Sequence, residues 1–488
     1  MLGHEARVDN KHFIFKQCNL LIDESNVRKK SRVMNLIQTD KRRLIVGLGV
    51  TGKSCMRHFM RLGLSFSVLD TREQPPCIQA LLQEFPNVDI RFGSGHDEWV
   101  DDANEIYLSP GIAKDDSLFA TALSRGAVLT GDIDLFAQHA TAPVIAISGS
   151  NAKSTVTTLV GEMAKCANIS AGVGGNLGEP ALNLLSPKHD AYVLELSSFQ
   201  LERCADLQPE VACLLNVSAD HMDRHQTMMA YHQAKQRVYR GAKHIVFNRH
   251  DSLTAPLKTV DVSVKSFGLD VPDLGQYGVK NITGERYLVK GFEPLMPVSD
   301  IPLVGDHHLL NTLAALAIGD AAGFSLAAMQ AAIKQFNGLP HRCEFVADIN
   351  GVRYINDSKA TNVGATVAAL KGLSSSVTGD IILIAGGQTK GADFSALMTA
   401  LKPLQCKLIL LGEGANTLAS LAAGQHEVLR VDSLEQAVCV AESNSQNGDM
   451  VLLSPACASF DMFSGFEQRG DIFKAAVAAL NVNQQEAQ

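Results

Sequence analysis

The sequence predicts an α/β protein made of three consecutive blocks, each built on buried strands separated by helices. Three observations predict it. A chain of 488 residues is long enough for about three domains at roughly 150 residues each. Apolar runs of strand length alternate with helix-periodic stretches, which implies mostly parallel sheets. Two of those runs enter glycine-rich turns that open helices, a device by which α/β proteins hold phosphates.

The first block begins at Arg43-Leu-Ile-Val-Gly-Leu-Gly-Val-Thr-Gly52, an apolar strand entering a Gly-x-Gly-x-x-Gly turn. A helix-periodic stretch over Lys53 to Leu64 follows, then a second strand, Ser65 to Asp70, ending in an acid. An acid about 20 residues beyond such glycines is a dinucleotide-type signal, weak by itself. It fits an NAD-dependent oxidoreductase, a plain tight turn, or a non-redox nucleotide whose diphosphate sits on the helix N-terminus.

The second block opens with Pro143-Val-Ile-Ala-Ile-Ser148 running into Gly149-Ser-Asn-Ala-Lys-Ser-Thr155 and a helix over Val156 to Ala167. Strand, glycine turn, lysine, two hydroxyls and helix come in the order of a nucleotide phosphate loop. Backbone N–H groups would cradle phosphates, Lys153 would reach the terminal ones, and Ser154 would hold Mg²⁺. Ala152 departs from the pattern, because glycine normally precedes the lysine. An alanine held at positive φ costs on the order of 1 kcal/mol, and its methyl can crowd a phosphate oxygen. Strands at Ala191 to Leu196, Val211 to Val217 and His244 to Phe247, and a helix at Met229 to Tyr239, continue the block. The third block follows Leu339-Pro340, with strands at Ile381 to Gly387, Leu408 to Gly412 and Met450 to Ser454.

Composition narrows the class. Lys and Arg total 43 against 51 Asp and Glu, a net charge of −8, with 46% hydrophobic and 19% charged residues. That balance excludes a mostly disordered chain and lacks the basic excess of a dedicated nucleic-acid binder. No apolar run reaches the roughly 18 residues that span a bilayer. The ten cysteines are scattered without a Cys-x-x-Cys pair, which fits a reducing cytoplasm and speaks against zinc ribbons. Residues 1–33 read as an extension, either poorly ordered or preceding a misplaced start, with Met34 as the usual lead-in to the first strand.

Further motifs follow the phosphate loop: Gly172-Val-Gly-Gly-Asn176, Leu194-Glu-Leu-Ser-Ser-Phe-Gln-Leu-Glu202, Asp220-His-Met-Asp-Arg224 and Ala234-Lys-Gln-Arg-Val-Tyr239. Then come Asn311, Leu339-Pro-His-Arg342, Asn356-Asp-Ser-Lys-Ala-Thr-Asn362, Ser454-Pro-Ala-Cys-Ala-Ser459 and Phe466-Glu-Gln-Arg-Gly470. In order and spacing this series resembles the Mur ligase family over roughly residues 42–480. It is most similar to the branch that adds D-glutamate to UDP-N-acetylmuramoyl-L-alanine, making peptidoglycan precursor in the cytoplasm. The resemblance implies a Rossmann-like N-terminal domain for the UDP-substrate over residues 34–131. A central P-loop ATPase-like domain would span 132–337, and a C-terminal Rossmann-like domain that binds the amino acid would span 338–488. It also implies a monomer acting on small molecules, without nucleic acid or membrane partners.

The family's chemistry makes an amide through an acyl phosphate, and the residues suit it. A carboxylate is a poor electrophile and must gain a leaving group. Joining it to a triphosphate brings anions together that cations must cover. By resemblance, Lys153, Glu195, His221 and Lys235 are the catalytic set. Ser154 and Glu195 would hold one Mg²⁺, and His221 with Lys235, carbamylated by CO₂, a second. On its own Lys235 would be an ordinary helix-surface lysine. ATP would meet Gly149, Ser150, Asn151, Ala152, Lys153, Ser154, Thr155, Asn311, Arg342 and Asp357. The UDP-substrate would meet Val50, Thr51, Asp70, Thr71, Arg72, Ser109, Gly111 and Asn176. D-Glutamate would meet Lys359, Thr361, Lys390, Ser459 and Phe466, a set of lysines and hydroxyls suited to a dicarboxylate. Three other readings compete: a folate-glutamate ligase, which lacks a UDP-binding first block of this kind; a catalytically weakened paralogue, supported by Ala152 alone; and the NAD-dependent oxidoreductase.

Overall fold

The computed structural model describes residues 41–75, 78–257, 262–303, 305–374 and 377–486. The extension expected over 1–33 lies outside the described residues.

The first sheet has five parallel strands: β1 (Arg43–Val46), β2 (Ser67–Asp70), β3 (Asp89–Phe92), β4 (Glu105–Leu108) and β5 (Val128–Thr130), in the order 3-2-1-4-5. β1 runs all-buried as Arg-Leu-Ile-Val, as a central parallel strand must. Successive strands are added on one side of it and then on the other, so a ligand crevice opens at its carboxyl end. Helix α1 (Val50–Leu62) starts there, three residues earlier than the sequence periodicity placed it. Gly52 lies within its first turn because a Cβ there would fall 1.9 Å from the Gly47 carbonyl oxygen.

The central sheet comprises β6 (Val144–Ser148), β7 (Ala171–Gly175), β8 (Ala191–Glu195), β9 (Val211–Leu214), β10 (His244–Asn248), β11 (Ser263–Phe267), β12 (Tyr277–Ile282), β13 (Glu285–Lys290) and β14 (Glu293–Pro297). Its order is 14-13-12-11-10-9-6-8-7. It is parallel from β7 to β12 and ends in an antiparallel meander, β12 to β14. The β12–β13 turn has Thr283 at φ 51° and Gly284 at φ 91°, the paired positive φ that a two-residue hairpin turn favours. Helix α2 (Lys153–Cys166) leaves β6 through the phosphate loop and buries Val156, Leu159, Val160 and Met163. Each such side chain contributes about 2 kcal/mol of transfer free energy. Helix α3 (Met228–Gln236) covers the opposite side of the loop, and α4 (Asp306–Ala321) packs beside α2 in the largest core cluster.

The third sheet contains β15 (Glu344–Ile349), β16 (Val352–Asn356), β17 (Ile381–Gly386), β18 (Cys406–Leu411), β19 (Glu427–Arg430) and β20 (Met450–Leu453), ordered 15-16-20-17-18-19. All pairs are parallel except the β15–β16 hairpin, turned by Asn350 and Gly351 at φ 55° and 78°. The long C-terminal helix, Phe466–Glu486, packs on this hairpin. One apolar cluster joins first-block residues Phe59 and Tyr107 to central-block residues Phe136 and Tyr192, so the two blocks share a packed seam.

Candidate functional site

The phosphate loop lies at the carboxyl end of β6, between β8 and β9. Its shape is fixed by Asn216, just beyond β9. The Asn216 side chain accepts from the Asn151 N–H at 2.8 Å and donates to the Asn151 carbonyl at 3.1 Å, and its own carbonyl accepts from the Ser150 N–H. Ser150 Oγ donates to the Ser218 carbonyl at 2.9 Å. Ala152 adopts φ 66°, ψ −2° at the N-cap of α2, the left-handed geometry expected from the motif. Lys153 curls back over the loop and donates to the carbonyls of Gly149 and Ser150, both at 2.9 Å. Burial pushes its ammonium below the usual lysine range, against the pull of Glu195 and Asp220.

Glu195 ends β8 facing this loop, 2% exposed. Its Oε1 accepts from Asn176 Nδ2 at 2.7 Å. Its Oε2 is buried with no hydrogen-bond partner among the described residues. A polar oxygen left bare in the interior is costly, so this atom is a natural place for a cation. Lys235, on α3, is almost fully buried and donates to the Gly149 carbonyl at 2.6 Å. Burial first, then the nearby Lys153 charge, holds its amine well below the usual lysine range. Arg342 reaches in from the third block, where its Nη2 donates to Ser154 Oγ at 2.6 Å. His221 has φ 56°, and its Nε2 lies 3.7 Å from Asp220 Oδ2. Burial lowers its pKa, against the pull of Asp220.

A cavity of about 320 Å³ opens beside the loop. Asn151, Ala152 and Thr155 form one wall, Asn311 of α4 a second, and Arg342, Asp357 and Lys359 a third. Asp357 accepts from Ser454 Oγ at 2.8 Å and from the Cys343 N–H at 3.1 Å, yet burial raises its carboxyl to about 7. Lys359 Nζ stands 3.5 Å over the Phe466 ring, and burial with the Arg342 charge lowers it to about 8. Thr361 donates its N–H to the Lys359 carbonyl. Ser459 is buried nearby in the sequence loop after β20. Lys390, at φ 49°, lies over Phe460 and is close enough to His221 to depress it electrostatically. Asn362 ties the blocks together, donating to Asn151 Oδ1 at 3.2 Å and Asp220 Oδ2 at 3.1 Å.

The first block carries its own group of expected residues, at the carboxyl ends of β1, β2 and β4. Val50 and Thr51 open α1, Val50 largely exposed. Asp70 accepts from the Leu48 N–H at 2.7 Å and takes a two-pronged pair from Arg72, at 2.9 and 2.7 Å; that hydrogen-bonded charge holds its carboxyl below the usual range despite burial. Thr71 is exposed between them. Ser109 Oγ donates to the Gly47 carbonyl at 2.8 Å, and Gly111 follows in the same turn. Arg203, from the central block, donates to the carbonyls of Ser109, Pro110 and Ile112 and so fixes this turn.

The structure thus gathers Lys153, Ser154, Asn176, Lys235 and Arg342 about the buried Glu195 carboxylate. It sets Asn311, Asp357 and Lys359 on the adjoining cavity. Val50, Thr51, Asp70, Thr71, Arg72, Ser109 and Gly111 form a separate group on the first sheet. Sequence reasoning missed Asn216, Asn362 and Arg203. Asn362 closes a motif that was visible, whereas Asn216 and Arg203 carry no local signature and act by tertiary placement.

Three family models match the chain: "Mur ligase MurD-like, N-terminal domain" over residues 41–131, "Mur ligase middle domain" over 147–319 and "Mur ligase, glutamate ligase domain" over 341–457. The chain is 48% identical to UDP-N-acetylmuramoylalanine--D-glutamate ligase of Pseudomonas putida over 447 residues, covering 92% of this chain and 99% of that protein. The same enzyme of Pseudomonas aeruginosa matches at 48% with 92% and 100% covered, and that of Legionella pneumophila at 47% with 90% and 99% covered. Among solved structures, UDP-N-acetylmuramate-alanine ligase MurC of Thermotoga maritima superposes with a TM-score of 0.57 at 17% identity, covering 90% of this chain and 99% of that one. The MurF ligase of Thermotoga maritima in complex with ADP gives 0.56 at 16%, with 91% and 97% covered. At such identities the structural likeness speaks for the fold alone.

Proposed function

The chain belongs to the Mur ligase family, and from that premise we infer that it joins D-glutamate to UDP-N-acetylmuramoyl-L-alanine with ATP, in peptidoglycan precursor synthesis. The observation that carries the reading is the placing of Lys153, Lys235 and Arg342 near the buried Glu195 carboxylate, whose Oε2 has no partner among the described residues, beside a cavity walled by the phosphate loop. A carboxylate oxygen of the UDP-substrate attacks the γ-phosphorus of ATP, and the bond to ADP breaks. The resulting acyl phosphate is attacked at carbon by the D-glutamate amine. Phosphate then leaves with the former carboxylate oxygen, and the amine proton passes to solvent.

The chain's own residues supply the electrostatics. Lys153 and Arg342 bring cationic donors to where phosphoryl charge develops. Asn176 holds Glu195 in place through its Oε1. Asn311 and Asp357 face the adenosine end of the cavity, and Val50, Thr51, Asp70, Thr71, Arg72, Ser109 and Gly111 hold the UDP end of the acceptor. Lys359, Thr361, Lys390, Ser459 and Phe466 receive D-glutamate, the lysines meeting its carboxylates. The bare Glu195 Oε2 and the Ser154 hydroxyl suit Mg²⁺, which would screen the phosphate charges. His221, whose pKa burial lowers, suits a second ion. Only a neutral amine adds CO₂, so the depressed Lys235 amine suits carbamylation, which would turn a buried cation into an oxygen ligand. The unit acts as a cytoplasmic monomer on small molecules; among the described residues no helix is long and apolar enough to cross a membrane.

The weakened-paralogue reading draws no support, since the groups around Ala152 are in place and relatives match over nearly their whole length. Phosphate release by purified protein tests the assignment. It should require both UDP-N-acetylmuramoyl-L-alanine and D-glutamate. Release that continues without the amino acid, or that prefers a folate acceptor, would refute it.

A further inference from the structure

Three side chains from two blocks meet on the cavity wall without a part in the reaction above. His307 and His308 lie in the first turn of α4, and Cys343 lies on the chain entering β15. The two imidazole centroids are 4.0 Å apart. One donor atom from each of the three residues lies within 4.8 Å of the others. Nδ1 of the buried His308 and both ring nitrogens of His307 are buried without a hydrogen-bond partner among the described residues. Each such orphan costs about 1–3 kcal/mol, and groups of this kind ask for a missing ligand. Room for the His307 ring exists because residue 372 is glycine: a Cβ there would fall 2.0 Å from His307 Nδ1.

Two imidazoles and a thiol are a soft donor set, suited to zinc-like ions and poorly suited to Mg²⁺. We propose that His307, His308 and Cys343 form a three-donor site for Zn²⁺ at the seam between the central and third domains. Tetrahedral Zn–N and Zn–S bonds of about 2.0 and 2.3 Å place donors roughly 3.3–3.5 Å apart, so the side chains close by about 1 Å on binding. The Cys343 S–H bond breaks, a sulfur–zinc bond forms, and the proton passes to the buffer. Such an ion ties the first turn of α4 to the chain entering β15. Because Asn311, Arg342 and Asp357 share that cavity, the ion also competes with ATP, a consequence that rests on the nucleotide reading.

Co²⁺ titration of the full-length, metal-stripped protein is the test. A near-ultraviolet sulfur-to-cobalt charge-transfer band with intense visible bands is expected, displaced by one equivalent of Zn²⁺. Cys343→Ser should remove the charge-transfer band, and His308→Gln should weaken Zn²⁺ binding by at least about tenfold. Absence of the band in the wild-type protein, or its survival in Cys343→Ser, overturns the site. Adenosine, which lacks the phosphates by which ATP itself chelates Co²⁺, should raise the Co²⁺ concentration needed for half occupancy. If the band forms and adenosine leaves it unmoved, the metal site stands and the placement of the nucleotide falls.

Discussion

Replacing Ala152 by glycine isolates the one residue at which the phosphate loop departs from its usual pattern. Ala152 sits at φ 66°, where an alanine loses on the order of 1 kcal/mol, and glycine relieves that strain. Against it stand two losses. The Ala152 methyl packs against the largest core cluster, and removing one buried methyl costs about 0.8 kcal/mol. Glycine also loosens the unfolded chain by about 0.4–1 kcal/mol. The sum lies within about 1 kcal/mol of zero, which for a central domain of this size moves the melting temperature by no more than about 3 °C. The backbone already holds the left-handed geometry, so the loop N–H groups keep their directions in both variants. Turnover should therefore change less than about fivefold, roughly 1 kcal/mol in barrier. Thermal melts and steady-state phosphate release on the two proteins measure both terms. A rise in turnover of a hundredfold or more in Ala152→Gly would refute the reasoning, because it would mean that the alanine distorts the loop.

Further outcomes follow from the same geometry. Lys153→Ala and Glu195→Gln should each lower phosphate release by at least about a thousandfold, in line with removal of a preorganised charge; near-normal rates in either would remove that group from the chemistry. Lys235→Ala should be inactive and partly rescued by added short carboxylates, whereas full activity without them would sink the carbamate. Stability should fall in mild acid through His58, packed against His139 with centroids 4.6 Å apart. Burial lowers His58 from 6.5 to about 4, so below pH 6.5 the unfolded chain takes up a proton that the fold refuses. Its contribution is complete above 6.5 and shrinks by up to about 2 kcal/mol by about pH 5. His58→Leu should flatten that part of the pH–melting curve, and an unchanged slope would contradict the assignment.

Much of the site was legible because phosphate chemistry leaves local marks. The glycine spacing at Gly47–Gly52 is marked locally because a Cβ at Gly52 would meet the Gly47 carbonyl, and the Gly149–Thr155 loop must come between a buried strand and a helix. Lys235 was legible only by resemblance, since a lysine on a helix gives no sign that tertiary packing will bury it over Gly149. The antiparallel meander at 277–297 and the β15–β16 hairpin went unread, although Thr283-Gly284 and Asn350-Gly351 are turn pairs with paired positive φ. Their strands, apart from β16, are only partly buried, so the apolar signal that marked the parallel strands was weak. Arg203 and Asn216 were invisible because their roles depend on carbonyls and amides that other segments present to them.

The most direct test of the central claim labels the carboxylate of UDP-N-acetylmuramoyl-L-alanine with a heavy oxygen isotope and follows the label by mass spectrometry. Attack of that carboxylate on the γ-phosphorus carries one labelled oxygen into the phosphate released when D-glutamate displaces it. The account predicts one label in each phosphate and one retained in the new amide. Unlabelled phosphate, with amide still formed, would contradict it.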